Sequence, residues 1–277
     1  MRNESQRIPW IFVFAITGVA VVLRFFQLLL FTDGDTGWVT AAGAPLTYAL
    51  YALLPVAAGG CVACARRQIH TVAAVTDNGS RRLSVAAYAV SVAFFFDFIY
   101  RCYLCYQVAD SAVYVPWNDM VSQVLTAVFA LLSCSYYFVV GRSYGGGGYD
   151  FRAFRFFHFV PAMWGFCRLL TILAKLVSVM ADAKTVCEVL FLTALLLFLF
   201  SFATAAVTSR NAGRSVVFFG LLTFVFACVS AMPQLLIVCI GRYSAVGGGL
   251  YFGLADLLLG GFALVFVQDL RRRSAAM

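Results

Sequence analysis

Eight apolar runs, each long enough to cross a bilayer, divide this 277-residue chain from one end to the other. A spanning helix needs about 20 mostly apolar residues. Lipid offers nothing to backbone N–H and C=O groups, so a continuous helix must satisfy them internally. The runs cover residues 8–31, 44–65, 84–108, 120–141, 159–180, 187–208, 215–241 and 250–267. Hydrophobic residues make up 63% of the chain and charged residues 12%, against roughly 45–50% and about 25% in soluble domains. The connecting segments are short and leave no room for a soluble domain of ordinary size. The expected fold class is therefore all-α, an integral membrane bundle of eight transmembrane helices in four outer hairpins. The first run carries Arg24 and Gln27, exceeds the length of a signal sequence and lacks a small-residue cleavage site after it. It reads as a retained first span.

Charge sets the orientation. Of the 20 Lys and Arg residues, 14 fall in segments on one side of the spans, and only Lys184 and Arg242 fall on the other. Cytoplasmic segments carry the excess of Lys and Arg, so the basic side is cytoplasmic and both termini lie there. The net charge of +8 is explained by this bias without any nucleic-acid partner. The outer segments carry Asp33, Asp35, Asp110, Asp119 and Asp182, with Trp38 and Trp117 near the outer boundary and Trp10 near the inner one.

The run Arg142-Ser-Tyr-Gly-Gly-Gly-Gly-Tyr-Asp150 interrupts the series. Consecutive glycines are poor helix formers, so a cytoplasmic linker over 144–150 is expected to separate a first four-helix half, 1–143, from a second, 151–277. Residues 151–158, with Arg152, Arg155 and His158 among aromatic neighbours, fit either a short interfacial helix or a plain juxtamembrane flank. Basic residues close the second helix of each hairpin, at Arg67, Arg142, Arg210 and Arg271. Both a four-hairpin repeat and the positive-inside rule alone produce that pattern.

Several chemistries are argued against. The two histidines, His70 and His158, fall in cytoplasmic segments, and neither the zincin helix nor the phosphate-binding glycine loop occurs. Gly141-Arg-Ser-Tyr-Gly145 matches a nucleophile turn in letters only, since a membrane helix precedes it where a strand is required. Cys61/Cys64 and Cys102/Cys105 have metal-like spacing but fall in opposite leaflets, where they fit helix packing better. The last two spans hold no lysine for a retinal Schiff base. No catalytic residue, metal site or cofactor is expected.

Charges inside the spans need partners or water, because each costs roughly 2.5–3.5 kcal/mol to insert. Arg24, Arg101 and Lys175 each fall about 16 residues beyond the cytoplasmic entry of their helix, which at ~1.5 Å per residue is the outer third of the bilayer. Asp97 lies one turn below Arg101, a spacing that favours a pair. Arg168 lies deeper, on the face of Trp164; Asp256 enters helix 8 from outside, and Glu188 tops helix 6. Gln27, Gln107 and Gln234 share the outer region, and Pro233 predicts a kink there. Gly253, Gly260 and Gly261 permit close packing around Asp256.

These residues predict an outward-facing polar pocket. Arg101 and Arg168 would be anion donors, Asp97 and Asp256 organisers or proton carriers, and Lys175, Arg24 and Gln234 would complete the lining. The competing expectation is that the same groups snorkel or form structural ion pairs. Val160-Pro-Ala-Met-Trp-Gly-Phe-Cys-Arg168, the apolar sixth span and Met232-Pro-Gln234 resemble stretches of uncharacterised polytopic membrane proteins of Gram-positive anaerobic bacteria. That resemblance covers the second half and implies a bacterial plasma membrane, without an activity or a site. The expected partners are the lipid bilayer and a small anionic or zwitterionic solute or lipid head group. The alternatives are a structural or sensory subunit meeting a protein partner through its cytoplasmic loops, and a lipid-head-group enzyme using Asp110, Asp119 and Glu188.

Overall fold

The computed structural model describes residues 2–32, 39–67, 80–110, 117–146, 155–176, 183–208, 213–241 and 250–276. Among them are eight α-helices: α1 (Arg2–Leu30), α2 (Ala44–Arg67), α3 (Arg81–Asp110), α4 (Trp117–Tyr144), α5 (Val160–Leu176), α6 (Ala183–Thr208), α7 (Gly213–Cys239) and α8 (Leu250–Ala276). All eight are long and apolar enough to cross a membrane. The chain is a multi-pass, all-α membrane bundle.

The helices run past the apolar runs at several ends, because backbone hydrogen bonding continues into the polar flanks. α3 and α4 show the antiparallel register directly. Ser84 Oγ donates to the Gly141 carbonyl at 2.7 Å, and seven residues along, Ser91 Oγ donates to the Cys134 carbonyl at 2.8 Å. α4 ends where Gly146 adopts φ +98°, a left-handed conformation that costs glycine little. The remaining linker residues 147–150 lie outside the described residues.

Contacts between helices form a closed circuit: α3 packs on α4, α4 on α5, α5 on α6, α6 on α7, α7 on α8, and α8 returns to α3. The α1–α2 hairpin lies against α7. α7 is the most buried of the eight spans and is apolar all round, as a helix packed on several sides must be. It continues as one helix through Pro233. Glycine brings α7 and α8 together. A Cβ on Gly260 would stand 2.5 Å from Ala227 Cβ, and one on Gly220 would stand 2.7 Å from Val267 Cγ2. At the basic end, the Arg271 guanidinium of α8 sits 5.1 Å from the ring centre of Trp10 on α1, a cation–π contact that ties the first and last spans together.

Ahead of α5, residues Arg155–Phe159 form a 3-10 turn. It is not a uniform lipid-facing helix. Phe156 is exposed, whereas His158 is buried and its Nδ1 lies 2.9 Å from Tyr136 Oη of α4.

Candidate functional site: a buried ion network in the outer half

The site is built on five helices. α3 supplies Asp97 and Arg101, α4 Gln123, α5 Trp164 and Arg168, α6 Glu188 and α8 Asp256. Helical spacing places Asp97 below Arg101 and Trp164 below Arg168, each one turn apart on a single face.

Arg101 donates from Nε to Asp97 Oδ2 at 3.3 Å and from Nη1 to Gln123 Oε1 at 2.7 Å. The same Asp97 oxygen accepts the Trp164 indole N–H at 2.8 Å. The ring of Trp164 in turn lies 5.5 Å from the Arg168 guanidinium carbon. Arg168 uses its planar fork against Asp256, with Nη1 to Oδ1 at 2.5 Å and Nη2 to Oδ2 at 2.9 Å, and Nη2 also reaches Glu188 Oε1 at 2.6 Å. Trp164 therefore joins an Arg–Asp pair on α3 to an Arg with two carboxylates shared among α5, α6 and α8. Asp97, Arg101, Trp164, Arg168 and Asp256 are all buried; Glu188 is partly exposed.

The described members amount to two guanidiniums and three carboxylates, a formal charge of −1. Donors and acceptors are unevenly matched. Asp97 Oδ1 is buried and has no hydrogen-bond partner among the described residues, a condition that costs about 1–3 kcal/mol for an ordinary polar group. Ser133 Oγ and Tyr137 Oη, one turn apart on α4, are in the same condition.

The cytoplasmic side of the network is closed by aromatic rings from the same five helices. Phe94 meets Trp164 edge-on at 4.9 Å and stacks on Tyr137 at 5.6 Å; Tyr137 meets Phe262 at 5.2 Å, and Phe202 meets Phe266 at 4.9 Å. α3 and α5 run outward, so Phe94 and Trp164 precede the charges in sequence. α4, α6 and α8 run inward, so Tyr137, Phe202 and Phe262 follow Gln123, Glu188 and Asp256. The polar layer faces outward and the ring layer faces the cytoplasm, by the orientation that the basic residues assign.

Of the seven residues expected in the pocket, four meet here: Asp97, Arg101, Arg168 and Asp256. Arg24 belongs elsewhere. It is buried on α1 and donates to Gln27, which donates to Thr47 of α2. Gln234 is buried on α7. The side chain of Lys175 lies outside the described residues. Sequence reasoning missed Gln123 and the indole bond of Trp164. A neutral amide on a neighbouring helix gives no signal of its own, although helical spacing does put Trp164 on the face of Arg168. Among the described residues, no three His, Cys, Asp or Glu side chains converge as metal ligands, and all nine cysteines are free thiols.

No protein-family model, curated protein or solved structure matches this chain.

Proposed function

We propose that this chain binds a small anionic or zwitterionic solute from the outer side of a plasma membrane and carries it inward. Its binding group is the Asp97–Arg101–Trp164–Arg168–Asp256 network. One observation carries the reading: four helices bring their charges, and a fifth a neutral amide, to a single buried network in the outer half, with an aromatic layer between that network and the cytoplasm. Ionisable groups within membrane spans are expensive and gather where solutes or protons pass. In this role Arg101 and Arg168 attract the anionic group, and Asp97 and Asp256 hold the guanidiniums in place.

A second reading has its own support. Both terminal nitrogens of Arg168 already bond to carboxylates, which suits a clasp holding α5, α6 and α8 in a structural or sensory subunit. The partner of such a subunit would meet the cytoplasmic loops.

The two separate on the unfolding temperature of the purified protein against a panel of inorganic anions, amino acids and lipid head groups. A ligand specific to the folded state adds about 2.7 kcal/mol at a hundredfold excess over Kd. The solute reading expects one ligand class to stabilise the parent and not Arg101→Ala. A parent that no ligand stabilises, with Arg101→Ala only lowering the baseline, supports the clasp.

A further inference from the structure

We propose that the solute taken at this network carries a positively charged amine, whose N–H is accepted by Asp97 Oδ1. This rests on the reading of the network as a solute site, and it narrows that solute from a small anion or zwitterion to a zwitterion.

The network's own valences point this way. Arg168 commits Nη1 and Nη2 to Asp256 and Glu188, so an incoming anion would compete with two carboxylates for it. Among the described residues, the buried network atom left without a partner is an acceptor, Asp97 Oδ1, and it belongs to a carboxylate with no solvent exposure. A ligand that completes the network must therefore bring a donor. The described charges, at −1, favour a donor that is also positive.

The neighbourhood suits an ammonium group better than a metal ion. Hard cations take six or more oxygen ligands, carboxylates prominent among them, and no three His, Cys, Asp or Glu side chains converge among the described residues. An ammonium has three N–H donors, each needing one acceptor. Asp97 Oδ1 is one such acceptor. The hydroxyls Ser133 Oγ and Tyr137 Oη, without partners among the described residues, belong to the α4 face whose Tyr137 ring stacks on Phe94, three residues before Asp97. Because Asp97 is fully buried in this state, entry requires the outer parts of the five helices to separate, as alternating access demands of a carrier.

The test uses matched triads differing only in charged groups: glycine, acetate and methylamine; alanine, propionate and ethylamine; 4-aminobutyrate, butyrate and propylamine. Each is titrated against the unfolding temperature of the parent and of Asp97→Asn. At least one zwitterion is expected to stabilise the parent, with its deaminated counterpart binding roughly ten- to hundredfold more weakly, the worth of one charge-assisted hydrogen bond. Asp97→Asn, which keeps the side-chain shape, is expected to bind the two alike. A deaminated acid that binds the parent as tightly as its zwitterion overturns the proposal, as does discrimination that survives in Asp97→Asn. If Asp97→Asn fails to fold, the comparison on the parent decides alone. Stabilisation by inorganic anions but by no zwitterion overturns this inference and leaves the solute reading standing. Stabilisation by nothing removes both.

Discussion

Arg168 and Asp256 stand 88 residues apart in the chain and meet in two parallel hydrogen bonds, 2.5 and 2.9 Å long. Both side chains are buried inside a membrane bundle, where taking charges out of water is repaid only by such geometry. Removing one partner of a buried pair leaves the other charged and unmatched, at about 3–5 kcal/mol. Asp256→Asn is therefore expected to lower folded-state stability by about that much, measured by equilibrium unfolding in mixed micelles. Glu188 is partly exposed and shares a nitrogen with Asp256, so Glu188→Gln should cost about 1 kcal/mol. Equal losses for the two would show that Arg168 does not depend chiefly on Asp256.

Trp164 serves the network in two ways that substitution can separate. Trp164→Phe keeps a ring beneath Arg168 but removes the N–H that reaches Asp97. The expected loss is about 1–3 kcal/mol, the cost of a buried acceptor deprived of its donor. Trp164→Leu removes both contacts and leaves a void beside Phe94, and should lose more. A Phe variant as stable as the parent would mean that the indole bond contributes nothing.

The eight spans and the Asp97–Arg101 pair could be read from the sequence, for two physical reasons. Lipid imposes a minimum apolar length on every span, and an i, i+4 pair lies within one helix, whose geometry is fixed. The Arg168–Asp256 pair could not be read this way. Lipid-facing and bundle-facing sides of a span are both apolar, so composition does not say that a side chain of α5 meets one of α8. Spacing places Trp164 and Arg168 on one face, yet what that face meets depends on α3, α6 and α8. Arg24 has the same sequence depth as Arg101, and depth alone groups the two. Depth fixes a layer of the membrane but not a position within that layer, and Arg24 pairs with Gln27 on α1 instead.

Two adjacent glycines in α8 should respond in opposite directions. A Cβ at Gly260 would collide with Ala227 Cβ, whereas one at Gly261 would meet nothing within 4 Å. Gly260→Ala is expected to force α7 and α8 apart and cost about 1–3 kcal/mol. Gly261→Ala should be neutral or stabilise by up to about 1 kcal/mol through helix propensity. Thermal unfolding of the two single variants checks both signs at once.

The cytoplasmic contact between Tyr136 and His158 provides a control for stability without the outer network. Tyr136→Phe removes the Oη to Nδ1 hydrogen bond of 2.9 Å and should cost about 1–3 kcal/mol, because the imidazole nitrogen stays buried. Any solute-dependent rise in Tm should survive in this variant. Its loss would mean that ligand response tracks general stability and not the network.

Replacing Arg168 and Asp256 together by Met and Leu tests the central claim most directly. Apolar substitution of a whole buried ion pair is often neutral or stabilising, so the double variant should fold while the network loses its central link. Radiolabelled uptake into proteoliposomes and the ligand-dependent shift in Tm would both be measured, with the solute that stabilises the parent. Loss of uptake and of the shift in a well-folded double variant is the predicted result. A double variant that folds, binds and transports like the parent would contradict the account and make the network a clasp between helices.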